Sequence, residues 1–320
     1  MSENTDTGLT DGWILSCRGK KNSVDHRKPY GWVVEKERTA SGRIEDIAII
    51  FLTNRECPFH CLMCDLWKNT TDESVPAGAI SDQIEWALSQ LPDVKHLKLY
   101  NSGSFFDERA IPEKEYKRIA SLLENYETVI VESHPRLINE KCLRFRNLLK
   151  PELQVAMGLE SANPEILRKL NKKMTTEDFK NSVSFLTQNG IRSRAFILLR
   201  PPFLSESEGI YWAERSIDYA FSTGIECCTV IPVRAGNGAM DQLLEKGLFS
   251  PPDISSLESV LEYGIGLNSG RVFADTWDLH LFSGCSKCID HRISRLTEMN
   301  LHQKFNIREK CSCDLTDKIT

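Results

Sequence analysis

Six apolar runs recur along this chain, each separated from the next by enough residues for one helix. That alternation limits the fold more than any other feature. The runs are Asp46–Leu52, Val94–Tyr100, Thr128–Glu132, Leu153–Leu159, Arg194–Leu199 and Cys227–Pro232. Between them lie segments of helical pattern. Ser81–Leu91 carries apolar residues at Ile84, Ala87, Leu88 and Leu91, a 3.6-residue spacing. Glu113–Leu123 follows Pro112, and proline suits a first helical turn. Thr175-Thr176-Glu177-Asp178 opens another helix, which Asn189-Gly190 stops. Ser205–Ala220 is a further one. Consecutive parallel strands need a crossover, so strands alternating with helices predict a parallel sheet. The run Ile47-Ala48-Ile49-Ile50-Phe51-Leu52 is continuously apolar, as suits a strand covered on both faces. The expected fold is α/β, a partial (βα)6 TIM-like barrel. A doubly wound open sheet is the alternative from pattern alone. No G-x-G-x-x-G loop follows the first strand, which counts against its Rossmann form. Gly31 to Glu37 reads as a short additional strand and Ala40-Ser41-Gly42 as a turn. The expected divisions are an N-terminal extension at 1–43, a core barrel at 44–235 and a C-terminal extension at 236–320.

A chain of 320 residues accommodates one large domain and an appendage. Its apolar share of 41% and charged share of 27% are those of a soluble globular protein. No apolar run approaches the length of a membrane span. Met1 to Thr10 is polar and acidic and lacks the apolar region of a secretory signal. Eleven cysteines in such a chain point to metal ligation in a reducing cytoplasm rather than to disulfides. The net charge of −5 gives no overall attraction to nucleic acid. Two basic stretches are local exceptions. One holds Arg18, Lys20, Lys21, His26, Arg27 and Lys28, the other Arg168-Lys169 and Lys172-Lys173. Such stretches are more often solvated surface than phosphate sites.

The first strand leads into Cys57-Pro58-Phe59-His60-Cys61-Leu62-Met63-Cys64, a C-x3-C-x2-C run. Three thiolates this close hold three irons of one cubane cluster and leave the fourth without a protein ligand. An iron with an open position binds and activates a ligand, whereas a fully ligated cluster mainly passes electrons. The plain alternative is three unrelated core thiols. His60 is expected at the surface.

This run, placed just after a first β-strand, resembles the signature of radical S-adenosylmethionine (SAM) enzymes. The resemblance implies a [4Fe–4S] cluster whose open iron is chelated by the amino and carboxylate groups of SAM. It further implies reductive cleavage of the sulfonium to a 5′-deoxyadenosyl radical, and hydrogen abstraction from substrate. It puts Met63 where the family often has an aromatic residue against adenine; a thioether also packs on a base. Further segments extend the likeness: Leu99-Tyr100-Asn101-Ser102-Gly103-Ser104-Phe105-Phe106-Asp107, Glu132-Ser133-His134-Pro135, Met157-Gly158-Leu159-Glu160-Ser161, Leu199-Arg200-Pro201-Pro202-Phe203-Leu204 and the cysteine-bearing tail. The series is similar to radical SAM proteins of the archaeosine-synthesis type, related to the radical SAM domain of Elongator's catalytic subunit, over about residues 44 to 313. That likeness implies a modified base in transfer RNA as substrate, a lysine adduct of a 7-deazaguanine. It also implies an external electron donor of the flavodoxin or ferredoxin type and a lyase or transferase reaction. Two other readings stand beside it. One is the same chemistry on a peptide or small metabolite. The other is a non-catalytic Fe–S redox sensor.

In barrels of this kind functional residues sit where strands end and loops begin. By the resemblance, Asn101, Ser102, Gly103 and Ser104 offer backbone groups to the SAM amino group. Gly103 permits close approach of the chain, and the alternative is a plain polar turn. Glu132 and Glu160 end the third and fourth strands, where a carboxylate accepts from ribose hydroxyls or an ammonium, or else caps a helix. Arg194 lies in one period-2 set with Arg192, Phe196, Leu198 and Arg200. A buried arginine needs a partner, which is either the SAM carboxylate, held through the planar fork, or Glu160. In the tail, Cys285, Cys288, Cys311 and Cys313 form two close pairs that fit S4 coordination of zinc or of a second Fe–S cluster. A redox disulfide and bystander thiols are the alternatives. Cys17, Cys142, Cys227 and Cys228 fall outside these groups, and the last two look like core.

Overall fold

The computed structural model describes residues 9–308 and Cys311. Eight strands form one sheet in sequence order: β1 Gly31–Arg38, β2 Ile44–Phe51, β3 His96–Tyr100, β4 Thr128–Ser133, β5 Glu152–Glu160, β6 Arg192–Leu199, β7 Cys227–Pro232 and β8 Arg271–Ala274. β1 pairs antiparallel with β2 through the turn at Gly42, and every later neighbour is parallel. Sequential order without a reversal point makes a curled partial barrel, not a doubly wound sheet. The six expected strands are β2 to β7. β8 is the addition. It is four residues long, begins with an arginine, and so carries too little apolar pattern to register.

The helices are α1 Asp11–Cys17, α2 Ala79–Leu88, α3 Tyr116–Leu122, α4 Glu140–Leu148, α5 Pro164–Lys169, α6 Thr176–Gln188, α7 Glu206–Thr223, α8 Ala239–Glu245, α9 Ile254–Gly266 and α10 Ile289–His302. Capping boxes start α6 and α7. The Thr175 and Ser205 side chains accept from Asp178 N and Glu208 N, and those carboxylates accept in return. Outward residues such as Ala48, Ile50, Leu97, Leu99, Val129, Val131, Val155, Ile197 and Val230 are fully buried under the helices. Among the described residues no helix is long and apolar enough to cross a membrane.

The sheet does not close by a β1–β8 ladder. Arg271 Nη1 donates to Arg38 O at 2.6 Å and Trp277 Nε1 to Glu35 Oε1 at 2.8 Å, bridging the seam. The open edge of β8 is answered by α10. Asn300 exchanges two hydrogen bonds with the Ala274 backbone, each 2.8 Å, and Gln303 does the same with Val272 at 2.8 and 2.7 Å. Two amides thus stand in for a ninth strand and remove an edge that would otherwise pair with another chain.

Inward residues near the strand C-termini keep partial exposure: Phe51, Tyr100, Glu132, Gly158, Phe196, Thr229 and Ile231. They line an open chamber in that half of the barrel. The other half is filled. A cleft of about 510 Å³ on the opposite rim, lined by Thr39, Arg43, His96, Lys150 and Arg192 among others, lies away from the cysteine run.

Candidate metal centre at the barrel mouth

The loop after β2 is fixed by residues from distant parts of the chain. Gln83 of α2 accepts from Thr53 N at 2.8 Å and donates to Thr53 O at 2.7 Å. Leu62 is fully buried in an apolar cluster with Ile14, Ile166, Leu170, Leu198, Val233 and Met240. Leu62 N donates to Leu170 O at 2.9 Å. Asn171 Nδ2 donates to His60 O at 2.7 Å, and Asn237 Nδ2 to Leu62 O at 2.8 Å and Cys64 O at 3.1 Å. Arg18 pairs with Glu56 at 2.5 Å and lies over the Trp67 ring at 4.8 Å. A loop held at this many points presents its side chains on a rigid mount. His60, expected at the surface, is held half-buried, 3.6 Å from Asp11.

Burial pushes the Cys57 thiol up to about 12, with Cys61 as a neighbouring charge. Burial likewise raises Cys61 and Cys64, and the charges of Cys61 and Cys57 act on Cys64. Desolvated thiols ionise when a metal takes them as ligands.

Three strand ends surround this loop. Glu132 of β4 accepts from Asn101 N at 2.6 Å and Gly103 N at 3.4 Å. Burial pushes its carboxyl up to about 7 against the pull of those backbone donors. A Cβ on Gly103 would lie 3.2 Å from Cys57 Cβ, so glycine lets this loop reach the first cysteine. Ser102, at φ 53°, shares a 2.9 Å hydrogen bond with Tyr30. Ser104 Oγ accepts from His134 N at 2.9 Å. The Asn101 amide is fully buried, yet neither its Nδ2 nor its Oδ1 has a hydrogen-bond partner among the described residues. Such orphans are rare because each costs roughly 1–3 kcal/mol. Here both ends of one amide lack a partner, which suits a polar ligand at this strand end. The fit to a cluster and a small polar cofactor therefore rests on three thiols, Cys61 buried and Cys57 and Cys64 half-buried, and on one unanswered amide.

Glu160 ends β5 and binds Lys172 Nζ at 2.6 Å, with both side chains under a tenth exposed. The charges of Glu160, Cys61 and Cys57 all act on Lys172. Lys172 was expected only as part of a basic surface stretch. Nothing in its sequence context distinguishes it, because its burial follows from Leu170 and Asn171 docking on the cysteine loop. His134 stacks on Phe59 with ring centroids 3.7 Å apart, and its Nε2 donates to Lys172 O at 2.9 Å. Burial and the Lys172 charge lower its pKa to about 3, so the imidazole is neutral. Met63 is half-buried against the Leu62 cluster.

Arg194 is a correction. It sits near the start of β6, at the filled end of the barrel, and binds Glu37 of β1 at 2.7 Å and Gln154 at 3.1 Å. Neither Glu160 nor a cofactor at the barrel mouth is its partner. The period-2 pattern correctly turned it inward but could not show which end of the barrel it reached. Of the basic stretches, Lys20, Arg27, Lys28, Arg168 and Lys173 are exposed as expected, and Lys172 is buried. Arg18 and Lys21 bind Glu56, Lys169 binds Glu165, and Lys173 binds Asp11.

In the tail, the sulfurs of Cys285, Cys288 and Cys311 lie within 4.8 Å of one another, and Cys285 Sγ is 3.8 Å from Cys311 Sγ. A tetrahedral ion with metal–sulfur bonds of about 2.3 Å separates its ligands by roughly 3.8 Å. A disulfide needs about 2 Å. Cys313 lies outside the described residues. Cys142, Cys227 and Cys228 are fully buried core thiols.

Glu132 yields a pH prediction. Its folded-state carboxyl near 7 lies above the ordinary 4.5, so the folded chain holds a proton that the unfolded chain releases. Stability from this group is complete below about pH 4.5 and is lost as pH rises to about 7, on the order of 3 kcal/mol. Glu132→Gln should remove that decline relative to wild type in urea titrations of the cluster-free chain. Parallel wild-type and variant curves would refute it.

Residues 51–208 match the model of the Radical SAM superfamily. The chain is similar to an uncharacterized protein of Methanocaldococcus jannaschii, 26% identical over 321 residues, covering 92% of this chain and 87% of the relative. It is similar to the archaeosine synthase subunit beta of Methanosarcina acetivorans, 29% identical over 216 residues, covering 63% of this chain and 60% of that one. Among solved structures it resembles Elp3 of the archaeon Methanocaldococcus infernus, with a TM-score of 0.52 and 15% identity over 69% of this chain and 58% of that one.

Proposed function

We propose that this chain, whose residues 51–208 are a radical SAM domain, cleaves SAM reductively and abstracts hydrogen from a 7-deazaguanine-type nucleoside in transfer RNA. The observation that carries the chemistry is the set Cys57, Cys61 and Cys64 on a rigid loop, beside the unanswered Asn101 amide. The relative named archaeosine synthase subunit beta supports the substrate.

When bound, a [4Fe–4S] cluster supplies the electron that splits the sulfonium, and the 5′-deoxyadenosyl radical so released takes a hydrogen atom from substrate. The chain's own residues do the rest. The three cysteines hold three corners and leave the fourth open. Glu132 fixes the Asn101–Gly103 backbone and offers a carboxylate to an ammonium group. Lys172 binds Glu160 as a buried ion pair beside the cysteine loop. Asn101 donates and accepts where its amide is now unanswered. Phe51, Tyr100 and Phe196 wall the chamber, and their rings present faces on which a base stacks.

The test is anaerobic reconstitution with SAM and a low-potential reductant, followed by 5′-deoxyadenosine analysis. Formation of 5′-deoxyadenosine is the expected result; cluster loading without it supports a redox sensor instead. Binding to bulk transfer RNA should weaken steeply with salt. Salt-independent or absent binding favours a small metabolite.

The tail cysteines hold a structural zinc on this reading, because the 3.8 Å sulfur spacing suits one tetrahedral ion. Metal analysis of the purified chain should give about one zinc, with Cys285→Ser losing it and leaving iron and sulfide unchanged. Loss of iron with the tail cysteine would identify a second cluster.

A further inference from the structure

Lys172 and Glu160 form a buried ion pair beside the cysteine loop. The segment carrying Lys172 is stitched to the cysteine loop on both sides of Cys61, through Leu170 O to Leu62 N at 2.9 Å and Asn171 Nδ2 to His60 O at 2.7 Å. Three non-glycine residues here take left-handed conformations: Glu160 at φ 64°, Asn171 at 53° and Lys173 at 56°. Each costs on the order of 1 kcal/mol or more, and such strain persists where surrounding structure imposes it. The pair is also tightly enclosed. A Cβ at Gly158 would lie 2.1 Å from Glu160 Oε1 and 2.6 Å from Lys172 Nζ. Lys172 acts on the Cys57 and Cys61 thiols as a stabilising positive charge, while Glu160 acts on Cys61 in the opposite sense. Other charges facing the same thiols are Arg18, Asp11 and Asp107, whereas the neighbouring His134 is neutral.

We infer that the Lys172–Glu160 pair sets the reduction potential of the cluster held by Cys57, Cys61 and Cys64, with Lys172 raising it and Glu160 trimming it back. The inference rests on the cluster reading above. One-electron reduction adds one negative charge to the cluster. A buried cation beside the thiolates favours that state, a buried anion disfavours it, and low exposure keeps solvent from screening either. As a positioning device the pair orients no substrate. It acts on how readily the cluster accepts an electron.

The experiment is a potentiometric titration of the full-length, anaerobically reconstituted protein without SAM, read by electron paramagnetic resonance of the reduced cluster. At fixed ambient potential, Lys172→Gln should lower the reduced-to-oxidised ratio about tenfold, equal to 59 mV for a one-electron couple. Glu160→Gln should raise it by a similar factor. Lys173→Gln, whose lysine is 44% exposed in its pair with Asp11, should leave it unchanged. Opposite shifts in the first two variants support the inference. Unchanged potentials, or shifts in one common direction, overturn it. If Lys172→Gln retains no cluster, the sign of the Glu160→Gln shift decides. A wild-type chain that takes up no cluster overturns the functional reading itself, and this inference with it.

Discussion

Replacing Cys61 with alanine is expected to abolish 5′-deoxyadenosine formation and to strip the iron–sulfur absorbance from the reconstituted protein. Cys57→Ala and Cys64→Ala should do the same. On the proposed reading each cysteine would carry one corner, and the loop offers no replacement donor of the right chemistry. His60 is the nearest alternative by sequence, but its ring faces Asp11 at 3.6 Å. The fold should survive. Cys61 is a small buried group, and the loop is held by Leu62, Asn171, Asn237 and Gln83 rather than by the thiols. Circular dichroism should therefore match wild type while activity falls to background. Retained absorbance in all three variants would mean that the cluster is bound elsewhere.

Glu37→Gln is expected to destabilise the chain by about 3–5 kcal/mol, the usual cost of leaving a buried charge without its partner. Glu37 binds Lys98 at 2.6 Å and Arg194 at 2.7 Å, with Arg271 at 3.9 Å. Burial alone would raise its carboxyl. Arg194 and Lys98 overcome that and hold it well below the usual carboxylate range. A lowered carboxyl contributes stability that is present above its ordinary value near 4.5 and lost as pH falls below it. The variant should therefore lose stability at pH 7 and show a shallower acid transition than wild type. Urea midpoints at pH 7 and pH 4 measure both. A variant as stable as wild type at pH 7 would show that the two cations find other partners. The network also explains why this half of the barrel is filled. Charged side chains from β1, β3, β6 and β8 occupy it, while inward residues at the strand C-termini keep partial exposure.

The barrel was legible in the sequence because each parallel strand is covered on both faces. Ile47 to Leu52 is then continuously apolar and Leu153 to Leu159 is broken only by Gln154, and later helices declare their own starts through Thr175 and Ser205. The cysteine loop was legible because its spacing is chemical rather than conformational. β8 was not, since Arg271–Ala274 is completed by amides of α10 and not by its own pattern. Arg194 and Lys172 lie elsewhere than expected for one reason. A period of two fixes which face of a strand a residue takes, but the depth at which an arginine finds Glu37, or a lysine meets Glu160, depends on contacts across the barrel. Such contacts join residues far apart in the chain and leave no local trace. The unanswered Asn101 amide is likewise visible only in three dimensions.

The claim on which the rest depends is that one cluster corner is left for SAM. Electron–nuclear double resonance of the reduced, reconstituted protein with SAM labelled by 15N at its amino group reads this directly. A hyperfine coupling between the cluster spin and the labelled nitrogen is the predicted result. A four-iron cluster that forms but shows no such coupling, with saturating SAM present, would contradict the account.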